Sequence, residues 1–349
     1  MSYAAAGVDI AAADAAKRDM ARLLEPRDPR ILNGVGPFAT LIDATFPEYR
    51  HPVIVFKTEE PGSKQKLAVT HGAYRSLCFD LVNHLVNDIV VMGAAPVAVQ
   101  DAIICGSLQP EAVAALVAGL AEACRAQECS LTGGETSEQP GVLEPGTYVL
   151  AASVVGVVEY TRVIDGSRIG AGDTVLALAS NGVHTNGYSL VRRLLDADPS
   201  LAGRTLGRSS VLDALLVPHR CYLPALRPSL AGENLHGLAH VTGGGIAANL
   251  SRVLPPGTAA QIDLSRIVVP EIFAVLRAAG SLPDAEMLRV FNCGAGMLAV
   301  VAAGSDGEVR SAAAAAGVAC YPVGRIVAAD AAAPDRVAFR GALRWPAAR

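Results

Sequence analysis

Six polar, glycine-rich islands interrupt an otherwise aliphatic chain and set where it turns. They are Glu59-Glu60-Pro61-Gly62-Ser63-Lys64, Asn87-Asp88, Gly133 to Gly141, Gly182-Val183-His184-Thr185-Asn186-Gly187, Thr242-Gly243-Gly244-Gly245 and Phe291 to Met297. Each stands where an apolar run gives way to a turn, so backbone N–H groups and short side chains there approach phosphates and metal ions closely. Carboxylates gather in the first half and phosphate-type loops in the second. That division points to an enzyme that handles a phosphorylated substrate with a metal–nucleotide.

At 349 residues the chain has room for two domains. Aliphatic side chains dominate and aromatics make up only 5%, which predicts a core of small side chains. A net charge of −4 supplies no basic field for nucleic acid or an anionic membrane. Seven cysteines form no C-x-x-C pair and lie mostly in apolar surroundings, as expected of reduced thiols in a reducing cytoplasm; Cys293, inside a glycine-rich loop, is the one candidate for another role. Asp9, Asp14, Lys17 and Arg18 do not make a signal peptide, and no apolar run is long enough to span a membrane. A cytoplasmic enzyme is expected.

The periodicity predicts an amphipathic helix at 8–24, strands at 53–56, 97–104 and 148–158, and helices at 80–92 and 110–125. A second unit opens with Ile169-Gly170-Ala171-Gly172-Asp173 and alternates strands near 174–179, 240 and 297–302 with helices at 189–195, 211–217, 246–253, 271–278 and 306–316. The fold class is α/β or α+β in two domains, 1–168 and 169–349. Asp80, His84, Asn87 and Asp88 recur at helical spacing in a strongly apolar helix, so they must be paired or bind something.

Glu59 and Glu60 with Gly62, Ser63 and Lys64 combine oxygen ligands of the magnesium type with an ammonium that balances phosphate charge, or form a solvated turn. Asp88 and Asp101 are lone acids in apolar settings and must be neutralised, hydrogen-bonded or metal-bound. Glu135 sits beside Gly133 and Gly134, which allow close approach of a ligand or another backbone. In the second half, the 180–187 loop and the Thr242–Gly245 loop each lead from a strand into a helix, the arrangement that favours an anion. His184 and His240 lie beside these loops, where a histidine hydrogen-bonds substrate, shuttles a proton or simply packs.

In this order the islands closely resemble the phosphoribosylformylglycinamidine cyclo-ligase (aminoimidazole ribonucleotide synthetase) family, from Tyr3-Ala4-Ala5-Ala6-Gly7-Val8-Asp9-Ile10 to about Gly324. The resemblance rests on Val86-Asn87-Asp88, Leu131-Thr132-Gly133-Gly134-Glu135-Thr136, Ile164-Asp165-Gly166-Ser167, His184 to Arg192 and Phe291 to Met297. It implies an N-terminal domain that pairs through β-strands into a homodimer and a C-terminal α/β domain that completes the cleft. It also implies ATP- and Mg²⁺-dependent ring closure of formylglycinamidine ribonucleotide in purine biosynthesis. Carried onto this chain, it puts the nucleotide on Thr58, Glu59, Gly62, Ser63, Lys64, Asn87, Gly133, Gly134 and Glu135, and the metal on Glu59, Asp88, Asp101 and Glu135. Lys64, Asp88 and His184 would serve catalysis; His184, Thr185, Asn186, Gly187, Thr242, Gly243, Gly244, Gly245 and Asn292 would hold the substrate.

The first loop departs from the family. The usual Gly-Thr-Asp-Gly-Val-Gly-Thr-Lys is here Lys57-Thr58-Glu59-Glu60-Pro61-Gly62-Ser63-Lys64, with added charge and stiffness. The departure leaves room for a relative that uses ATP to activate another amide or carboxyl group, or for a non-catalytic scaffold.

Overall fold

The computed structural model describes residues 28–34, 37–330 and 335–347. The expected helix at 8–24 and the Tyr3–Ile10 motif lie outside them. The chain forms two compact units, one taking the residues up to Ile89 with Ala94–Tyr160, the other Val90–Gly93 with Thr161–Arg349.

The first unit contains β1 (Pro52–Glu59), α1 (Lys64–Thr70), α2 (Tyr74–Val90), β2 (Ala95–Cys105), α3 (Pro110–Ala126), β3 (Ser130–Glu138) and β4 (Tyr148–Glu159). Its sheet runs β1-β4-β2-β3, antiparallel except for the β2/β3 pair. Leu77, Leu81, Val82, Leu85, Val86 and Ile89 make α2 apolar over most of its girth, and all are fully buried. Two glycines let the helix settle. A Cβ on Gly119 of α3 would stand 2.9 Å from Cys78 Sγ, and one on Gly156 of β4 would stand 2.8 Å from Ile89 Cδ1. Along β4, buried and half-buried residues alternate, the period-2 signature of a sheet with one covered face.

Two expectations change in this unit. Lys57, Thr58 and Glu59 belong to β1 rather than to a loop, so alternation sends Lys57 and Glu59 to one face and Thr58 to the other. Gly133-Gly134-Glu135-Thr136 is likewise not a loop but part of β3. There Thr132 and Gly133 stand opposite the single residue Gln100, between the pairs Leu131–Val99 and Gly134–Asp101. Gly133, at φ +131°, provides the backbone for this bulge.

The second unit carries β5 (Thr174–Ala179), α4 (Tyr188–Ala197), a small hairpin of β6 (Thr205–Leu206) and β7 (Ser209–Ser210), α5 (Val211–Leu216), α6 (Leu223–Leu230), β8 (Leu235–His240) and α7 (Gly245–Ser251). It continues with β9 (Thr258–Asp263), α8 (Glu271–Gly280), α9 (Asp284–Val290), β10 (Ala295–Val301), α10 (Asp306–Ala315), β11 (Cys320–Ala328) and β12 (Val337–Arg340). The six-stranded sheet has the order β12-β9-β11-β5-β10-β8. Every residue of β10 is buried, as is the Val175–Leu178 run of β5, so the middle of this sheet is core on both faces.

Register then gathers the loops. β10 runs antiparallel to both neighbours, with Ala295 beside Ala179 and Met297 beside His240. The segment entering β10 therefore lies at the same end of the sheet as the segments leaving β5 and β8.

Candidate active site elements

In the first unit, α2 presents its polar stripe to two lysines. Lys64, at the start of α1, has no exposed surface; its Nζ lies 2.8 Å from Oδ1 of the equally buried Asp80. Burial pulls the Lys64 ammonium below the usual lysine range against the opposing pull of Asp80. Lys64, expected to contact phosphate, thus directs its charge onto Asp80.

The second lysine is Lys57, which sequence reasoning passed over. Its Nζ is 2.7 Å from Glu59 Oε1 and 3.1 Å from Asp88 Oδ2, with His84 Nε2 3.8 Å from the same Asp88 oxygen. Burial works against the ammonium, but the hydrogen bond to Glu59 and the charge of Asp88 outweigh it and raise Lys57 above the ordinary lysine value. Glu59 and Asp88, two of the expected metal ligands, are thus brought together. Their oxygens converge on one cation position and are of the hard type magnesium takes, so this pair fits the ion.

Asp101 and Glu135, the other two expected ligands, lie on the neighbouring strands β2 and β3, where Asp101 pairs with Gly134. Glu135 is exposed on β3. The Asp101 carboxylate lies over Gly134, where any Cβ would collide with it. Loss of surrounding water pushes its carboxyl up to about 7. Thr58 turns to the opposite face of the sheet and shares a 2.7 Å hydrogen bond with Ser153. Asn87 is fully buried on α2, and Gly62 holds φ +61° in the turn before Ser63.

In the second unit the three loops at one end of the sheet carry most of the expected substrate residues. Gly182, Gly187, Gly244, Gly245 and Gly294 all have positive φ, as do His184 at 64° and Cys293 at 48°. For a non-glycine residue that conformation costs roughly 1–2 kcal/mol, which the surrounding contacts must offset. Asn292, expected to face substrate, ties the loops together. Its Nδ2 donates to the Gly182 carbonyl at 2.9 Å, and its Oδ1 accepts from the Gly294 N–H at 2.8 Å. Asn249, on α7, does the same for the other loop, donating to the carbonyls of Thr242, Gly243 and Gly245 and accepting from the Thr242 hydroxyl.

His184 hydrogen-bonds Asn181 Oδ1 through Nε2 at 3.1 Å and stacks on His219 at a centroid distance of 4.0 Å. His219 is fully buried; its Nε2 lies 2.9 Å from His240 Nε2, and its Nδ1 shares a hydrogen bond with the Thr185 hydroxyl at 3.3 Å. His219 and Asn249 were invisible in the sequence. One is a lone histidine far along the chain from Thr185, the other an asparagine inside an apolar helix. The Asn186 amide nitrogen is buried and makes no hydrogen bond among the described residues, and a Cβ on Gly243 would stand 3.5 Å from the Asn186 oxygen. A donor beside the Gly243 loop therefore remains available for a ligand. Cys293 is a core thiol: burial pushes it up to about 12, and it donates to the Met287 carbonyl.

Residues 49–158 match the AIR synthase related protein N-terminal domain, and residues 170–334 match its C-terminal domain. The chain is 43% identical over 332 residues to the phosphoribosylformylglycinamidine cyclo-ligase of Aromatoleum aromaticum, covering 93% of this chain and 94% of that one. It is 41% identical to the enzyme of that name from Sorangium cellulosum, covering 97% and 99%. Solved structures with the same fold include E. coli HypE, at a TM-score of 0.67, 16% identity and coverage of 97% and 98%. Thiamine-monophosphate kinase from Stenotrophomonas maltophilia is another, at 0.63, 18%, 97% and 98%. With both domains matched in order and more than 40% identity along nearly its whole length, the chain belongs to the phosphoribosylformylglycinamidine cyclo-ligase family.

Proposed function

We propose that this protein uses ATP to close the imidazole ring of formylglycinamidine ribonucleotide, giving aminoimidazole ribonucleotide, ADP and phosphate in purine biosynthesis. The observation that carries the reading is the 41–43% identity over almost the full length of curated cyclo-ligases. ATP phosphorylates the formamide oxygen; a substrate nitrogen then attacks the activated carbon, forming the ring bond as phosphate leaves. Little covalent chemistry falls to the protein, so positioning and charge stabilisation supply the catalysis.

In this reading the first unit, assigned as residues 1–168, handles the nucleotide. Glu59 and Asp88 would hold Mg²⁺, which neutralises phosphate charge when bound. The second unit, 169–349, holds the substrate phosphate or ribose, using the open Asn186 donor and the backbone of the Gly187 and Gly243–Gly245 turns. His184 and Thr185 complete that surface, and the enzyme works in the cytoplasm.

We also assign it as a homodimer. On one face of the first sheet Ile54 and Phe56 are 52% and 67% exposed among the described residues. Phe56 lines an open hollow of about 490 Å³ together with Thr58, Gln100, Ala151, Ser153 and Val155. An apolar sheet face of this kind suits a second copy of the chain. Sedimentation of the purified protein at micromolar concentration should give twice the 35.9 kDa chain mass; a monomer alone removes this assignment.

A second reading is favoured by one observation. Lys57 and Glu60-Pro61 stand where the family pattern has Gly and Gly-Val, so the relative that activates another amide or carboxyl group is the alternative. Purified protein given formylglycinamidine ribonucleotide, ATP and Mg²⁺ should release phosphate and form the imidazole product only when all three are present. ATP turnover without that product, or none at all, would overturn the first reading.

A further inference from the structure

Two lysines flank the first loop, and they are placed very differently. Lys64 is sealed into the core on Asp80, whereas the Lys57 side chain keeps 35% of its surface exposed and lies between Glu59 and Asp88, on facing elements β1 and α2. Its 2.7 Å distance to Glu59 is that of a charge-assisted hydrogen bond, and at 3.1 Å it is ion-paired with Asp88. A divalent ion coordinated by the same two carboxylates would need the same space. The ammonium adds one positive charge at the point where their oxygens converge, and it repels any second cation there.

We propose that Lys57 is a resident cation that occupies the position between Glu59 and Asp88 and competes with a divalent ion for it. The nucleotide-free protein therefore binds divalent ions weakly at this pair. Metal enters with a polyphosphate, which gives the flexible lysine another anionic partner and frees both carboxylates. This last step rests on the proposed nucleotide role of the first unit; the competition itself does not. Residue 57 is thereby a determinant of metal affinity, since a glycine there would carry no side chain that competes.

The test is Mn²⁺ binding to full-length protein without nucleotide or substrate, followed by the electron paramagnetic resonance of free Mn²⁺ and by calorimetry. Wild type should bind weakly and Lys57→Met at least tenfold more tightly. Lys57→Arg, which keeps the charge, should resemble wild type. Adding Asp88→Asn to Lys57→Met should abolish the gain, placing it at this pair. Lys57→Gln serves as a second neutral variant should the methionine disturb β1, and circular dichroism checks the fold of each. Equal Mn²⁺ affinity in wild type and a folded neutral variant would overturn the proposal, as would a gain that survives Asp88→Asn. Because no nucleotide or substrate is present, neither outcome depends on which reaction the protein catalyses.

Discussion

The candidate sites of the two units are built from opposite materials. In the first unit the polar groups are charges, and each lysine is set against carboxylates: Lys64 on Asp80, and Lys57 between Glu59 and Asp88. In the second they are mostly amides, hydroxyls, imidazoles and backbone, shaped by positive-φ turns and tied by Asn249 and Asn292, with the Arg252 guanidinium on Asn249 Oδ1 and that of Arg220 on the Ala179 carbonyl. A charged site in a partly desolvated setting has to stay compensated until its ligand arrives, because an isolated buried charge is far more costly than a neutral group. A site made largely of neutral donors can leave one of them open, as Asn186 Nδ2 is among the described residues. The difference suits a metal–nucleotide in the first unit and a phosphate ester gripped by shape in the second.

If the charges of the first unit are this tightly compensated, removing one partner should be severe. Lys64→Met leaves Asp80 buried without its ammonium and should cost about 3–5 kcal/mol in denaturant unfolding. Adding Asp80→Asn should recover a good part of that loss. A Lys64→Met protein of wild-type stability but low turnover would instead return Lys64 to the phosphate role.

Asp101 sharpens the comparison through pH. Its folded value, raised to about 7, stands above the roughly 3.9 of an unfolded aspartate, so the folded state holds the proton more tightly. The stability this contributes is complete below about pH 4 and is lost as pH rises through about 7. Asp101→Asn removes the titration and should be more stable than wild type by roughly 2–3 kcal/mol at pH 8, somewhat under the full 1.4 kcal/mol per tenfold change in proton affinity. Parallel stability–pH curves for the two proteins would show that Asp101 is ionised and compensated.

The neutral site should break through its ties. Asn292→Ala strands the Gly182 carbonyl and the Gly294 N–H, and should lower stability by about 2 kcal/mol. Unchanged thermal unfolding with weaker substrate binding would make Asn292 a ligand contact instead.

How much of this was legible follows from the range of the interactions. The runs 53–56 and 148–158 announce β1 and β4 because burial on one face or both writes itself into local pattern, and the α2 stripe Asp80–Asp88 announces that it needs partners. The partners themselves come from elsewhere in the fold. Lys57 reads as a loop residue until β1 is extended to Glu59 and α2 is laid against it. The Gly133 island reads as a loop because a bulge exists only relative to its partner strand β2. β11 escapes because Pro322 and Gly324 interrupt its pattern, although it lies between β5 and β9. The glycine loops were visible as turns, but their convergence depends on the antiparallel register of β5, β10 and β8. His219 carries no motif; only that convergence puts it between Thr185 and His240.

The division of labour is most directly tested by titrating two ligands, a non-hydrolysable ATP analogue with Mg²⁺ and formylglycinamidine ribonucleotide, against wild type, Glu59→Gln and Asn186→Ala. Glu59→Gln should weaken the nucleotide analogue about tenfold, roughly 1.4 kcal/mol, and leave the ribonucleotide within about twofold of wild type. Asn186→Ala should do the reverse. Equal weakening of both ligands by either variant, with the fold intact, would contradict the assignment of nucleotide to the charged unit and substrate to the neutral one.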